Sequence, residues 1–311
     1  FTQCLDLRKI PYELIVTSPN NLTRPENIIF RTEPEWIVKV KDKYVFNATV
    51  FSNPFEFREE FLNTPAYIIS LGKNPTATPI TLPASKPEDN VTTNTITAAI
   101  DTATRNMVIT HQKLATGMSK QFYNVQALIY TTALDDDHRS YGGEDDLRGG
   151  MKGDALEQYE ERLRERKKED KTRKLEYMKD ALRDDFDNIT VYNEFTLTAD
   201  GRTWRKQELN YTNKYQLSDM VKIAGDNLLV SIPGLIGEQL FVSADERKRE
   251  VDAYMGFPRS LRNVISFTIP DGYKAVGIQN LNMNIDNETG TFAVQASVEG
   301  NTLSILVKKL Y

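Results

Sequence analysis

The chain has 311 residues, of which 40% are hydrophobic and 27% are charged, and its formal net charge is −5. This composition is ordinary for a globular protein with enough apolar residues for two separate cores. The absence of a basic domain argues against a nucleic-acid partner. The single cysteine excludes an internal disulfide bond, and no apolar run of about 18 residues predicts a membrane-spanning helix.

The first 72 residues predict a short helix followed by a small β-sheet. Residues 1–10 have the apolar spacing of a helix end, which Pro11 terminates, and residues 12–17 ("YELIVT") predict a strand. The stretch "WIVKVKDKYVF" at residues 36–46 alternates apolar and charged residues around a polar turn, which is typical of a half-buried hairpin. Because the sequence opens within a helical pattern and without a methionine, we expect it to be the C-terminal part of a longer chain.

A proline-rich segment separates this first region from the rest. Residues 73–94 ("KNPTATPITLPASKPEDNVTTN") predict an extended linker between two domains. Over residues 95–311, alternating segments between turn residues indicate an antiparallel β-sandwich. Its first two strands are predicted around a turn at residues 101–106, and a third is predicted at residues 121–135 from β-branched and aromatic content.

One charged helix is predicted inside the second domain, at about residues 151–186. We expect it to be an insertion that packs on one face of a sheet, and a charged, glycine-rich loop precedes it at residues 135–154. Apolar residues recur in it every three or four positions between charged ones: Leu156, Tyr159, Leu163, Leu175, Met178 and Leu182.

Few residues offer catalytic or metal-binding chemistry. His111 lies in an alternating strand pattern and His138 in an acidic loop, and neither has the neighbours of a zinc site, so no metal and no cofactor are predicted. Cys4 is predicted to be a small buried residue, because a nucleophilic cysteine is expected at a helix N-terminus. Tyr192 and Tyr211, like Tyr141, could stack on sugars, but strand aromatics more often pack in cores, so no binding residue is assigned.

Three segments resemble the transglutaminase-like family of papain-like cysteine hydrolases. In that family a cysteine begins a helix, a "GIPxxxV" strand follows, "HxW" starts the next strand, and "D-A/P-T" ends its partner. Here "KIPYELIV" stands at residues 9–16, Pro34-Glu35-Trp36 replaces "HxW", and Asn47-Ala48-Thr49 replaces the aspartate motif.

This resemblance implies an α+β fold class: a partial transglutaminase-like core at residues 1–72, followed by the sandwich with its helical insertion. The nucleophile would lie upstream of Phe1. The histidine position holds Pro34, or Glu35 if the register shifts by one, and the aspartate position holds Asn47. A thiol without an imidazole to accept its proton lacks the central element of this mechanism, so the positions Pro34, Trp36 and Asn47 describe a degenerate site with no catalytic residue.

The C-terminal region resembles large transglutaminase-like proteins that are common in Bacteroidetes. It carries their "GxNxL…LIG…ER…IPxGY" pattern as "GDNLL", "LIG", "ER" and "IPDGY" between residues 225 and 273. The resemblance implies export to the periplasm or association with the outer membrane.

Three functions remain open at this point. The preferred one is a non-catalytic binding or scaffolding component of the cell envelope, with a protein or a polymer (peptide or glycan) as partner. The second is an active cysteine peptidase or transglutaminase-like hydrolase whose catalytic cysteine lies upstream of this chain. The third is a purely structural subunit of an outer-membrane complex, with the charged helix as the docking element.

Overall fold

The computed structural model describes residues 1–20, 22, 25–27, 34–47, 52–53, 55–128, 133, 137–138, 150–203, 206–237, 243, 248, 250 and 255–311. They form a mixed α+β fold in which strands dominate. The helices are α1 (Thr2–Leu7), α2 (Gln121–Ala127) and α3 (Asp154–Arg183). The strands are β1 (Glu13–Thr17), β2 (Glu35–Val40), β3 (Lys43–Val45), β4 (Pro65–Ser70), β5 (Thr76–Thr81), β6 (Val91–Ile100), β7 (Met107–Ala115), β8 (Ile189–Asp200), β9 (Leu209–Leu217), β10 (Val221–Ala224), β11 (Asn227–Val230), β12 (Ser260–Thr268), β13 (Met283–Asn287), β14 (Gly290–Glu299) and β15 (Thr302–Leu310).

The first five strands form an antiparallel sheet in the order β3-β2-β1-β4-β5, here called the small sheet. Ile15 of β1 lies opposite Ile37 of β2, and both are fully buried. Phe46 stacks on Phe61 with ring centroids 5.7 Å apart. This packing confirms the predicted strand at residues 12–17 and the predicted hairpin.

Residues 73–94 are not a free linker, because they contain β5, which pairs along its whole length with β4. Pro79 lies opposite Tyr67 in this pair. A proline has no N–H to donate to a ladder, so it is tolerated in an edge strand such as β5. The prolines did predict the extended backbone, but the pairing with β4 is a tertiary contact.

The second half of the chain forms one eight-stranded sheet, here called the large sheet, in the order β13-β14-β15-β12-β6-β7-β9-β8. The predicted antiparallel sandwich is therefore wrong in two respects: one strand pair is parallel, and these strands form one sheet rather than two stacked layers. β12 runs parallel to β6 over nine residue pairs, which joins the C-terminal strands to the early hairpin instead of stacking them as a second layer. Among the described residues of this half, the remaining strands form only the β10–β11 hairpin.

The long helix α3 confirms the predicted helical insertion and packs on one face of the large sheet through Met178 and Leu182. Residues 121–127 form α2 instead of the predicted third strand. Asn124 and Ala127 are both buried, and their spacing of three residues fits a helix face. The local β-propensity of this segment is overridden by packing. No helix in the described part of the chain is long and apolar enough to cross a membrane.

A buried ion pair joins the two sheets. The ammonium of Lys120, next to α2, contacts the carboxylate of Glu56 from the small-sheet region and donates a hydrogen bond to the carbonyl oxygen of Gly201 at 2.8 Å. The Lys120 side chain is almost completely enclosed. Burial raises the pKa of Glu56, and Lys120 opposes that shift.

Candidate functional site

The predicted degenerate site lies at the open end of the β2–β3 hairpin. Pro34 directly precedes β2, and the exposed Asn47 follows β3 by two residues. Trp36 is 53% exposed and does not pack in the core, whereas its neighbour Ile37 is only 1% exposed. None of the side chains of Pro34, Trp36 and Asn47 can exchange a proton near neutral pH. The matching Ala48 and Thr49 lie outside the described residues.

The structure places the other candidate residues apart from one another. Cys4 is exposed on α1, so its prediction as a buried residue is wrong; the buried residue of that short helix is Leu5. His138 is half-buried beside Asp137, and most of the acidic loop around it, with Tyr141, lies outside the described residues. His111 is buried in β7, as predicted for a packed strand histidine.

His111 belongs to a row of polar side chains that crosses the helix-covered face of the large sheet. Its Nε2 lies 3.0 Å from Asn94 Oδ1, and Asn94 Nδ2 donates to Asn263 Oδ1 at 2.8 Å. The hydroxyl of Tyr215 lies 3.4 Å from His111 Nδ1. Burial, together with the nearby charge of Lys113, lowers the pKa of His111 to about 3. These groups satisfy one another, which identifies the row as part of the structural core.

A tyrosine-rich cluster continues this face toward α2. The ammonium of Lys113 lies 4.1 Å from the ring centroid of Tyr123. Burial opposes the charge of Lys113, but Tyr211, Tyr123 and Asp185 outweigh it and raise its pKa. Burial also raises the pKa of Tyr211, to about 12. Tyr211 therefore packs in the core and presents no free ring to a ligand.

The main candidate for a binding site is a pocket of about 740 Å³ between the middle of α3 and the end of β8. Its apolar lining comes from α3, from β8 and from the chain that follows α2. The residues are Leu128, Ala133, Leu175, Phe195, Leu197 and Ala199. Because β8 is an edge strand of the large sheet and α3 covers only part of the sheet's face, a gap is left beside these side chains.

Cationic side chains surround this apolar lining. They are Lys167, Lys171, Lys174, Arg202 and Lys206, against two carboxylates, Asp137 and Asp200. Among the described residues that line it, the pocket therefore has an excess of three positive charges.

Arg202 is held in place by both carboxylates of the pocket. Its Nη1 and Nη2 donate to the two oxygens of Asp137 at 2.9 and 3.0 Å, and its Nε donates to Asp200 at 2.9 Å. The bidentate pairing with Asp137 and the bond to Asp200 fix the guanidinium, and its single positive charge offsets one of the two carboxylate charges. The net positive charge of the pocket is thus carried by its lysines.

The lysines differ in how strongly the protein restrains them. Lys174 donates to the carbonyl oxygen of Gln126 at 2.6 Å, and burial lowers its pKa, an effect that Asp170 partly offsets. Lys171 and Lys206 are exposed at the mouth, on opposite walls. Neither forms an ion pair with any of the described residues.

A second, more apolar groove of about 470 Å³ lies between the β10–β11 hairpin and residues 270–281. Its rim includes Leu229 and Val276, of which Val276 is 80% exposed. The "IPDGY" segment of the C-terminal motif forms one wall, residues of "GDNLL" also line the groove, and "ER" lies outside the described residues. Among the described residues that line it, Lys274 is the one cation, and the others offer little polar chemistry.

The described residues contain no group of three histidine, cysteine or acidic side chains that could hold a metal ion. Comparison with known proteins assigns no family: no protein-family model, no curated protein and no solved structure matches the chain. The resemblance to the transglutaminase-like family therefore rests on the quoted motifs alone.

Sequence reasoning missed the α3–β8 pocket. A signal was present, because α3 carries Lys167, Lys171 and Lys174 at helical spacing just before its apolar positions resume at Leu175. In the sequence alone, their alternation with acidic residues is typical of a solvated helix surface. Only the position of β8 shows that they face apolar side chains across a gap.

Proposed function

We propose that this protein is a non-catalytic ligand-binding protein and that the pocket between α3 and β8 is its binding site. The observation that carries the proposal is a concave pocket with an apolar lining and a few positioned charges. Its volume lies within the range of about 300–1,000 Å³ that is typical of small-molecule sites. The pocket walls are a long helix and a sheet strand, which hold their side chains more precisely than loops do.

The pocket chemistry favours binding over hydrolysis. A cysteine hydrolase needs a thiolate next to a proton acceptor, whereas the pocket offers lysine and arginine cations beside aliphatic and aromatic groups. The only thiol of the chain, Cys4, lies on α1 and does not line the pocket. We expect Cys4→Ala to leave ligand binding unchanged, and loss of an amide-hydrolase activity in that variant would contradict the non-catalytic assignment.

The proposal retains the cell envelope as the place of action, with export implied by the motif resemblance. Envelope location is tested separately, by fractionating native cells and detecting the protein in the periplasmic, outer-membrane and cytosolic fractions. Recovery in the cytosolic fraction alone would refute the envelope assignment and leave the binding site untouched.

The binding site is tested with the neutral fluorescent probe N-phenyl-1-naphthylamine. Thr198 is exposed on β8 and lines the pocket, so Thr198→Trp should fill the pocket and abolish most of the probe fluorescence. Thr190→Trp, at an exposed position of the same strand outside the pocket, is the matched control and should bind the probe like the wild type. Equal probe binding by both variants would refute the proposed site.

A further inference from the structure

We propose, resting on the function above, that the ligand is a small anionic amphiphile: a long-chain monocarboxylate whose head group is held by Lys171 and Lys206 and whose alkyl chain lies on the apolar lining. The ligand needs both a charged head group and an apolar chain, because the same pocket combines a positive mouth with an uncharged wall.

The charge of the pocket selects for an anion. Arg202 is already paired with Asp137 and Asp200, so the remaining excess comes from lysines. Lys171 stands on α3, and Lys206 stands on the connection between β8 and β9, where its ammonium lies 3.5 Å from the carbonyl oxygen of Thr198. An acidic head group between these two walls would gain charge-assisted hydrogen bonds from both.

The apolar lining selects for a chain attached to that head group. Phe195 and Leu197 of β8 and Leu175 of α3 are half-buried, so part of each side chain remains available to a ligand. Leu128 and Ala199 also line the pocket and are buried. An alkyl chain placed there removes apolar area from water on both partners.

The order of residues along α3 explains why the two features lie side by side. The inward stripe is aliphatic at Met178 and Leu182, where the helix packs on the sheet, and becomes basic at Lys171 and Lys167, toward the N-terminal half. Lys174 lies at the transition, half-buried and fixed to Gln126. A ligand with its tail toward Leu175 would therefore place its head group toward Lys171.

The decisive experiment compares dodecanoate, dodecanol and butyrate by isothermal titration calorimetry on the full chain, below their aggregation concentrations. We expect dodecanoate to bind measurably, and dodecanol and butyrate to bind at least about tenfold more weakly, since one lacks the charge and the other the chain; tenfold corresponds to about 1.4 kcal/mol. Dodecanol binding as tightly as dodecanoate would overturn the anionic head group. Butyrate binding as tightly would overturn the alkyl chain.

Matched lysine variants test the residues assigned to the head group. Lys171→Gln/Lys206→Gln should weaken dodecanoate binding by about tenfold or more and leave dodecanol unaffected. The control Lys168→Gln/Lys222→Gln removes two exposed lysines that do not line the pocket and should bind dodecanoate like the wild type. An equal loss in both double variants would mean a diffuse charge effect and would contradict the assignment.

The failure of this inference can be told apart from the failure of the proposed function. If Thr198→Trp removes binding of the neutral probe while dodecanoate shows no preference over dodecanol, the pocket is a binding site and the ligand class is wrong. If Thr198→Trp still binds dodecanoate like the wild type, the ligand occupies another place, such as the groove beside Leu229, and both proposals fail.

Discussion

His111 is enclosed in the middle of β7, and its burial makes the free energy of unfolding depend on pH. Its ring contacts Asn94 and Tyr215, and the charge of Lys113 contributes to lowering its pKa. Since burial lowers the pKa of His111 to about 3 in the folded state, the ring stays neutral there while an unfolded chain would protonate it near pH 6.5. The unfolded state thus binds the extra proton.

The stability contributed by the neutral His111 is complete above the unfolded pKa of about 6.5 and is lost as the pH falls toward about 3. Between these two pH values we expect His111 to lower the free energy of unfolding by up to about 1.4 kcal/mol for each unit by which the pH falls. His111→Asn should reduce the slope by about one proton, measured by urea denaturation at a series of pH values.

Two outcomes would contradict this prediction. One is an identical slope in wild type and His111→Asn. If that variant does not fold, the wild-type ring can be followed by NMR instead. A ring that titrates near pH 6 while the protein remains folded would show that burial does not exclude the proton.

At the scale of single elements, β2 shows which of two neighbouring apolar side chains the small sheet buries. Strand residues alternate between two faces, and Ile37 rather than Trp36 occupies the core face of the small sheet. Trp36 lies on the opposite face of β2 and is more than half exposed.

We therefore expect Ile37→Ala to lower the free energy of unfolding by about 2–5 kcal/mol, because it empties a packed site. Trp36→Ala should change it by no more than about 1 kcal/mol, as is usual for surface substitutions. Chemical denaturation of the two variants measures both values. A larger loss at Trp36 than at Ile37 would reverse the assignment of the two faces.

The elements that were predicted from sequence share a strong periodic pattern. The hairpin at residues 36–46, the β6–β7 pair and the long helix α3 all have repeated apolar positions over many residues. The β14–β15 hairpin also has a turn at Gly300, whose φ of +59° suits glycine. Segment 121–127 has no such repeat, and its β-rich composition misled the prediction, because burial of Asn124 and Ala127 decides its helix.

At the scale of the whole molecule, the Lys120–Glu56 pair couples the small sheet to the large one. Lys120 is enclosed, and its second partner is a backbone carbonyl at Gly201, where the chain leaves β8. Removing one member of a buried pair leaves the other charge without compensation. The stability of the junction therefore depends on both residues together.

Lys120→Met should destabilise the protein by about 3–5 kcal/mol, because Glu56 is left buried and unpaired. The double variant Lys120→Met/Glu56→Gln should recover a large part of that loss, since the uncompensated charge is gone. Thermal and urea unfolding measure both. Lys214→Met, which breaks the exposed pair with Glu194, is the control and should have little effect.

An unrecovered loss in the double variant would mean that packing of the Lys120 stem, and not its charge, holds the junction. A loss below about 1 kcal/mol in the single variant would mean that water reaches the pair.

The sequence by itself determined the local structure of this protein wherever hydrophobic periodicity is long and regular, and it determined the bulk charge and the absence of a disulfide bond. It also identified the extended backbone of the proline-rich segment. These properties depend on residues close to one another in the chain.

Only the tertiary structure decided which strands pair and what lies between them. β6 pairs with β12, β5 completes the small sheet, and Lys171 faces Phe195 and Lys206 across a pocket. These contacts join residues that are far apart in sequence and depend on how whole faces fit together. A pattern of neighbouring residues does not record that fit, so the sequence of α3 does not distinguish lysines on a solvated surface from lysines that line a pocket.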